Sequence, residues 1–97
     1  MTLCEKIKAI RSVEGLSKAK FCELTGIPLS TLEKYDMGKF EPGGTALIKI
    51  TQHPQFTKYT LWLMTGTEAP ESGQISPALS PDGQENISKN QSDRKVG

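Results

Sequence analysis

The chain has 97 residues, twelve Lys and Arg against eleven Asp and Glu, a net charge of +1, and 35% apolar residues. That length holds one small domain and little more, and the mild charge argues against a protein that grips polyanions by phosphate neutralisation alone. No apolar run reaches the roughly 18 residues of a membrane span, and Cys4 and Cys22 have neither a CxxC partner nor a nearby His, which argues against a zinc site.

The first predicted helix runs from about Thr2 to Glu14. Leu3, Ile7 and Ile10 form one stripe at helical spacing, Thr2 and Glu5 stand at capping-box positions, and Gly15 ends it. Ser17 is a good N-cap for a second helix to Thr25, with Phe21, Cys22 and Thr25 facing inward and Leu24 beside them. Gly26 follows. A third helix is expected from Pro28 or Leu29 to Met37, because proline suits a first helical turn; Leu32 and Tyr35 point inward and Gly38 closes it. After the loop 39–44, Thr45 is the expected cap of a fourth helix that stops near His53, before Pro54. His53 is read as an ordinary helix-end residue rather than a ligand. A fifth helix, about Gln55 to Thr65, carries Phe56, Tyr59, Thr60 and Leu63 on one side and ends at Gly66.

Beyond Gly66 the composition changes. The run TEAPESGQISPALSPDGQENISKNQSDRKVG has few large apolar residues, too few to offset the entropy of ordering it. The expected organisation is therefore a domain over 1–66 and a flexible polar tail over 67–97. Charge follows that division, with nine bases and six acids up to Gly66 and three bases against five acids after it.

The fifth helix has an apolar surplus. Leu61, Trp62 and Met64 lie off the Phe56–Tyr59–Leu63 stripe, and a domain this small cannot enclose a helix that is apolar on most sides. They are expected to form a dimer interface, with Trp62 as its anchor, or to be covered by the tail.

The most informative stretch is Lys18 to Met37. Two short helices meeting steeply need a small residue at the contact, a turn residue free to take positive φ and an apolar residue on the second helix. Cys22, Gly26 and Leu32 supply these in order. The run GLSKAKFCELTGIPLSTLEKYDMGKFEP resembles the helix-turn-helix of the phage repressor and Cro family, also called the XRE family, and the likeness extends from Thr2 to Gly66. It departs from the family pattern at Lys18, Cys22, Pro28 and Asp36. The resemblance implies an all-α, five-helix lambda-repressor-like domain followed by a disordered tail.

It also implies a function: a transcriptional regulator that binds double-stranded operator DNA as a homodimer, with two half-sites about one helical turn apart. By that resemblance Leu29, Ser30 and Lys34 read base edges. Lys34 can donate to guanine, Leu29 can pack on a thymine methyl, and Ser30 can pair with either a base edge or a phosphate. Lys18, Thr31 and Lys39 are the expected phosphate contacts, and Glu33 either repels phosphate or accepts from cytosine. Arg11 and Asp36 match a family ion pair, expected to be partly buried and structural. No catalytic residues, phosphate loop, metal or cofactor are expected, and the expected location is the cytoplasm, on the nucleoid. A competing reading is a protein-interaction adaptor of antitoxin or antirepressor type, whose tail folds against a protein partner.

Overall fold

The computed structural model describes residues 1–79. They form five α-helices: α1 (Leu3–Val13), α2 (Lys18–Thr25), α3 (Leu29–Asp36), α4 (Gly44–Thr51) and α5 (Thr60–Thr65). Short 3-10 turns stand at Thr57–Tyr59, Pro70–Ser72 and Pro77–Leu79. An isolated bridge between Ala69 and Gln74 is the sole β-type pairing among the described residues.

Local chemistry explains the helix ends. The Thr2 hydroxyl accepts from the Glu5 amide at 3.1 Å while the Glu5 carboxylate accepts from the Thr2 amide at 2.9 Å, so two otherwise orphaned donors are satisfied reciprocally. The Ser17 hydroxyl accepts from the Lys20 amide to start α2. Gly26 caps α2 with φ of 81°, and nothing lies within 4 Å of a Cβ built there. Glycine is therefore required for its backbone angle rather than for space.

The core gathers one residue or more from every helix. Ile7 and Ile10 of α1, Phe21 of α2, Leu32 and Tyr35 of α3, Ile50 of α4 and Leu63 of α5 are buried together with Ile27, Phe56 and Tyr59. Phe21 and Phe56 meet as tilted rings with centroids 5.2 Å apart, an arrangement aromatic pairs favour.

Three expectations are corrected. The fourth helix starts two residues early, at Gly44, with extended Gly43 rather than Thr45 as its N-cap and no side-chain cap hydrogen bond. The fifth helix is not continuous from Gln55. Thr57 turns back on the end of α4, its hydroxyl donating to the Thr51 carbonyl at 2.6 Å and its amide to the His53 carbonyl at 3.0 Å. That tie holds residues 57–59 in a tighter 3-10 turn, and α5 begins only at Thr60. The third correction concerns the stretch after Gly66. Residues 67–79 fold back onto the domain: the Ile75 amide donates to the Lys58 carbonyl, the Gln74 side chain accepts from the Leu61 amide, Ile75 packs on the core and Ser76 is buried. The remainder of the expected tail, 80–97, lies outside the described residues.

Three polar contacts fasten α1 to the rest. The Lys6 ammonium donates to the carbonyls of Trp62 and Leu63 at 3.2 and 3.3 Å, placing a cation at the negative end of α5. The Arg11 guanidinium reaches α3. The Glu14 carboxylate, 4% exposed, accepts from the Tyr59 hydroxyl at 2.5 Å, from the Gln55 amide group at 2.9 Å and from the Lys58 ammonium at 3.2 Å.

Burial pushes the Glu14 carboxyl up. The hydrogen bonds from Tyr59, Gln55 and Lys58, with the Lys58 charge, outweigh it and hold the group below its ordinary value of 4.5. Glu14 therefore adds stability that is fully present above that ordinary value and lost as the pH falls through the lower folded value. Urea titrations across pH 2–7 should show Glu14→Gln less stable than the wild type by about 1–3 kcal/mol at neutral pH. The gap should narrow in acid; a constant gap would show that the carboxylate charge is not what is recognised.

Candidate nucleic-acid interface

The helix-turn-helix expected from Cys22, Gly26 and Leu32 is formed by α2 and α3. Cys22 is half-buried in the second half of α2, its carbonyl accepts from the Gly26 amide at 2.8 Å, and Leu32 is fully buried on α3. Pro28 precedes α3 with φ of −62° and ψ of 144°. Proline is compatible there because the first amides of a helix have no intrahelical partner.

With Leu32 and Tyr35 anchored in the core, helical periodicity turns the other side of α3 outward. Leu29 is 45% exposed, and Ser30, Glu33 and Lys34 are all exposed. These form a short ridge with no polypeptide over it among the described residues. Met37 and Phe40 extend its apolar part, exposed by 62% and 55%.

The residues expected at phosphates are placed differently from one another. Lys39 is exposed in the loop after α3. Thr31 is half-buried and lines a cleft between α3 and α4, with Tyr35, Gly43, Gly44 and Lys49 also on its walls. The Lys18 ammonium stands 3.7 Å from Asp36 Oδ2 while its side chain remains 46% exposed, so Lys18 belongs partly to the ion-pair cluster.

That cluster centres on Asp36. Arg11 Nη2 donates to Asp36 Oδ2 at 3.1 Å, with side chains 14% and 7% exposed, and Arg11 Nη1 donates to the Leu16 carbonyl at 3.4 Å. Arg11 Nε and Asp36 Oδ1 are buried without a hydrogen-bond partner among the described residues. The contact ties the last residue of α3 to the last turn of α1.

At the other candidate surface, Leu61 and Trp62 are half-buried and Met64 is 53% exposed. Trp62 packs against the core on one side, and the Lys6 ammonium lies 5.6 Å from its ring centroid. The folded-back segment reaches this region through Gln74, which holds the Leu61 amide.

Two arrangements have no direct sequence signal. Lys34 Nζ lies 5.1 Å from the centroid of the Phe40 ring, and the Cys4 thiol donates to the Phe40 carbonyl at 3.1 Å. Burial, followed by the carboxylates of Glu41, Asp36 and Glu5, raises the Cys4 thiol above its ordinary value. Burial also dominates at Cys22 and raises it, so both remain protonated, weakly reactive thiols. His53 lies beyond α4, its Nδ1 accepting from the Gln55 amide at 3.1 Å and its ring 5.0 Å from that of Phe56. No group of three His, Cys, Asp or Glu side chains suited to a metal occurs among the described residues. None of their helices is long and apolar enough to cross a membrane.

No family model matches the chain. It is, however, 46% identical over 96 residues to Repressor protein C of Escherichia phage P2, an alignment that covers 99% of this chain and 97% of that protein. Identity of that level over nearly the full length of both proteins spans the helix-turn-helix, the core and the segment beyond α5 together. The chain belongs to the family of phage repressor proteins that includes Repressor protein C of phage P2.

Proposed function

We propose that this protein represses transcription by setting α3 into the major groove of an operator duplex as a homodimer. The observation that carries this reading is the exposed ridge of α3, backed by fully buried Leu32, in a chain nearly half identical to a phage repressor. A B-DNA major groove admits one α-helix. On that ridge Leu29 meets a thymine methyl, Ser30 a base edge or phosphate, and Lys34 a guanine. Lys18, Thr31 and Lys39 contact phosphates, which set register without reading sequence.

Selection of bound duplexes from random DNA tests this. The expected product is a short half-site present in two copies about one helical turn apart, bound with an affinity that falls steeply with salt. Recovery of no preferred sequence, with tight capture of a protein partner instead, would replace the repressor by the adaptor reading.

Leu61, Trp62 and Met64 supply the second half of the proposal, the subunit interface. Met64 is mostly exposed, so Met64→Glu places a charge at that interface with little effect on the core. Sedimentation equilibrium should show Met64→Glu shifted toward monomer, and Trp62→Ala should raise the dimer dissociation constant by about 30-fold, as loss of an aromatic anchor does. Wild-type protein that remains monomeric at all accessible concentrations would remove the dimer from the proposal.

A further inference from the structure

We propose that Phe40 is a positioning residue for base recognition: its ring holds the Lys34 ammonium in the orientation from which it meets the duplex. This rests on the reading of Lys34 as a base contact.

The placement of Phe40 is built in several steps. Gly38, with φ of 72°, reverses the chain at the end of α3. Its amide donates to the Tyr35 carbonyl and the Lys39 amide to the Lys34 carbonyl, both at 2.9 Å, the paired bonds that end a helix in a left-handed cap. The chain therefore doubles back beside the last turn of α3. The Cys4 thiol holds the Phe40 carbonyl, and Pro42 two residues later is buried. Phe40 is thus held along its backbone on both sides while the residue stays 55% exposed, its ring centroid 5.1 Å from Lys34 Nζ.

An exposed ring beside a flexible cation has a specific effect. The negative face of the ring attracts the ammonium, occupying one side of it and leaving its other donors free. Lysine has a four-carbon stem with many rotamers, and holding it before binding reduces the freedom lost on binding. An aliphatic side chain of similar bulk has no such face. The aromatic character of residue 40, rather than its apolarity, is what this role requires.

The test combines the free protein with duplexes recovered by selection with the wild type. In the free protein, the Lys34 ε-methylene proton resonances should be shifted upfield by the ring, and Phe40→Leu should abolish that shift. Phe40→Leu should also weaken binding to the preferred duplex by about two- to five-fold. It should leave unchanged the affinity for a duplex altered at the base pair that Lys34 reads. Phe40→Tyr and Phe40→Trp should bind as the wild type does, and Phe40→Leu should have no further effect in a Lys34→Ala background. Absence of the upfield shift, equal loss on both duplexes, or the same loss without Lys34 would each overturn the proposal. If selection recovers no preferred duplex, the DNA reading fails and takes this role with it. The resonance shift, measured without DNA, then shows whether the ring contact itself was correct.

Discussion

Asp36→Ala is expected to destabilise the protein by about 3–5 kcal/mol. The carboxylate is 7% exposed and bonded to Arg11, whose side chain is itself only 14% exposed. Removing it leaves a guanidinium out of water with the Leu16 carbonyl, at 3.4 Å, as its one remaining hydrogen-bond partner among the described residues. Arg11 Nε is already without one among the described residues. Domains of this size have total stabilities of about 5–15 kcal/mol, so the variant should lie close to the folding threshold. Its thermal midpoint should fall by at least about 12 °C.

The pair as a whole is a different matter. A buried ion pair and a well-packed apolar pair of similar volume often differ little in stability. Arg11→Met with Asp36→Leu should therefore recover most of what Asp36→Ala loses, as measured by urea and thermal melts at neutral pH. If Asp36→Ala melts within a degree or two of the wild type, the contact is not what fixes the end of α3.

Lys34→Ala should cost about 1–3 kcal/mol of binding at one base pair, roughly 5- to 150-fold, with stability little changed because Lys34 is exposed. The signature is selective. Affinity for the preferred duplex falls, discrimination at that base pair disappears, and affinity for an unrelated duplex changes far less. Lys39→Ala, at an expected phosphate contact, should instead weaken binding to every duplex about equally and reduce the salt slope by about one. Titrations of both variants against duplexes with single base-pair changes separate the two patterns. A uniform loss for Lys34→Ala would move Lys34 to the phosphate group of contacts.

Elements governed by neighbours in sequence are legible from the sequence alone. Thr2 with Glu5, Ser17 and Gly26 mark helix ends through bonds spanning only three or four residues. The apolar spacing of Phe21, Leu32 and Tyr35 placed the inner faces of α2 and α3 correctly. The break before α5 was not legible. Phe56, Tyr59 and Leu63 recur at spacings that suit a continuous helix, whereas the 3-10 turn is imposed by Thr57 reaching back to Thr51. Ile75 is one apolar residue in a polar run, and only the groove it meets makes it part of the core.

The candidate site divides along the same line. The exposed ridge of α3 followed from periodicity, and Arg11 with Asp36 from family resemblance. The Phe40 ring beside Lys34 and the Glu14 contacts depend on how loops return to helices. Glu14 lies 41 and 45 residues from Gln55 and Tyr59, and no local pattern marks such a pairing.

The first helix has a mechanical consequence. Through Arg11 it grips the end of α3, and through Lys6 it grips the end of α5, both from within one helix of eleven residues. The helix proposed to enter the groove and the helix proposed to face the second subunit are thus fastened to a common chassis. The proposed dimer would then act as a fixed caliper. In that dimer α1 would fix where α3 stands relative to the interface, and the duplex, rather than the protein, would bend or twist to make up any error in spacing.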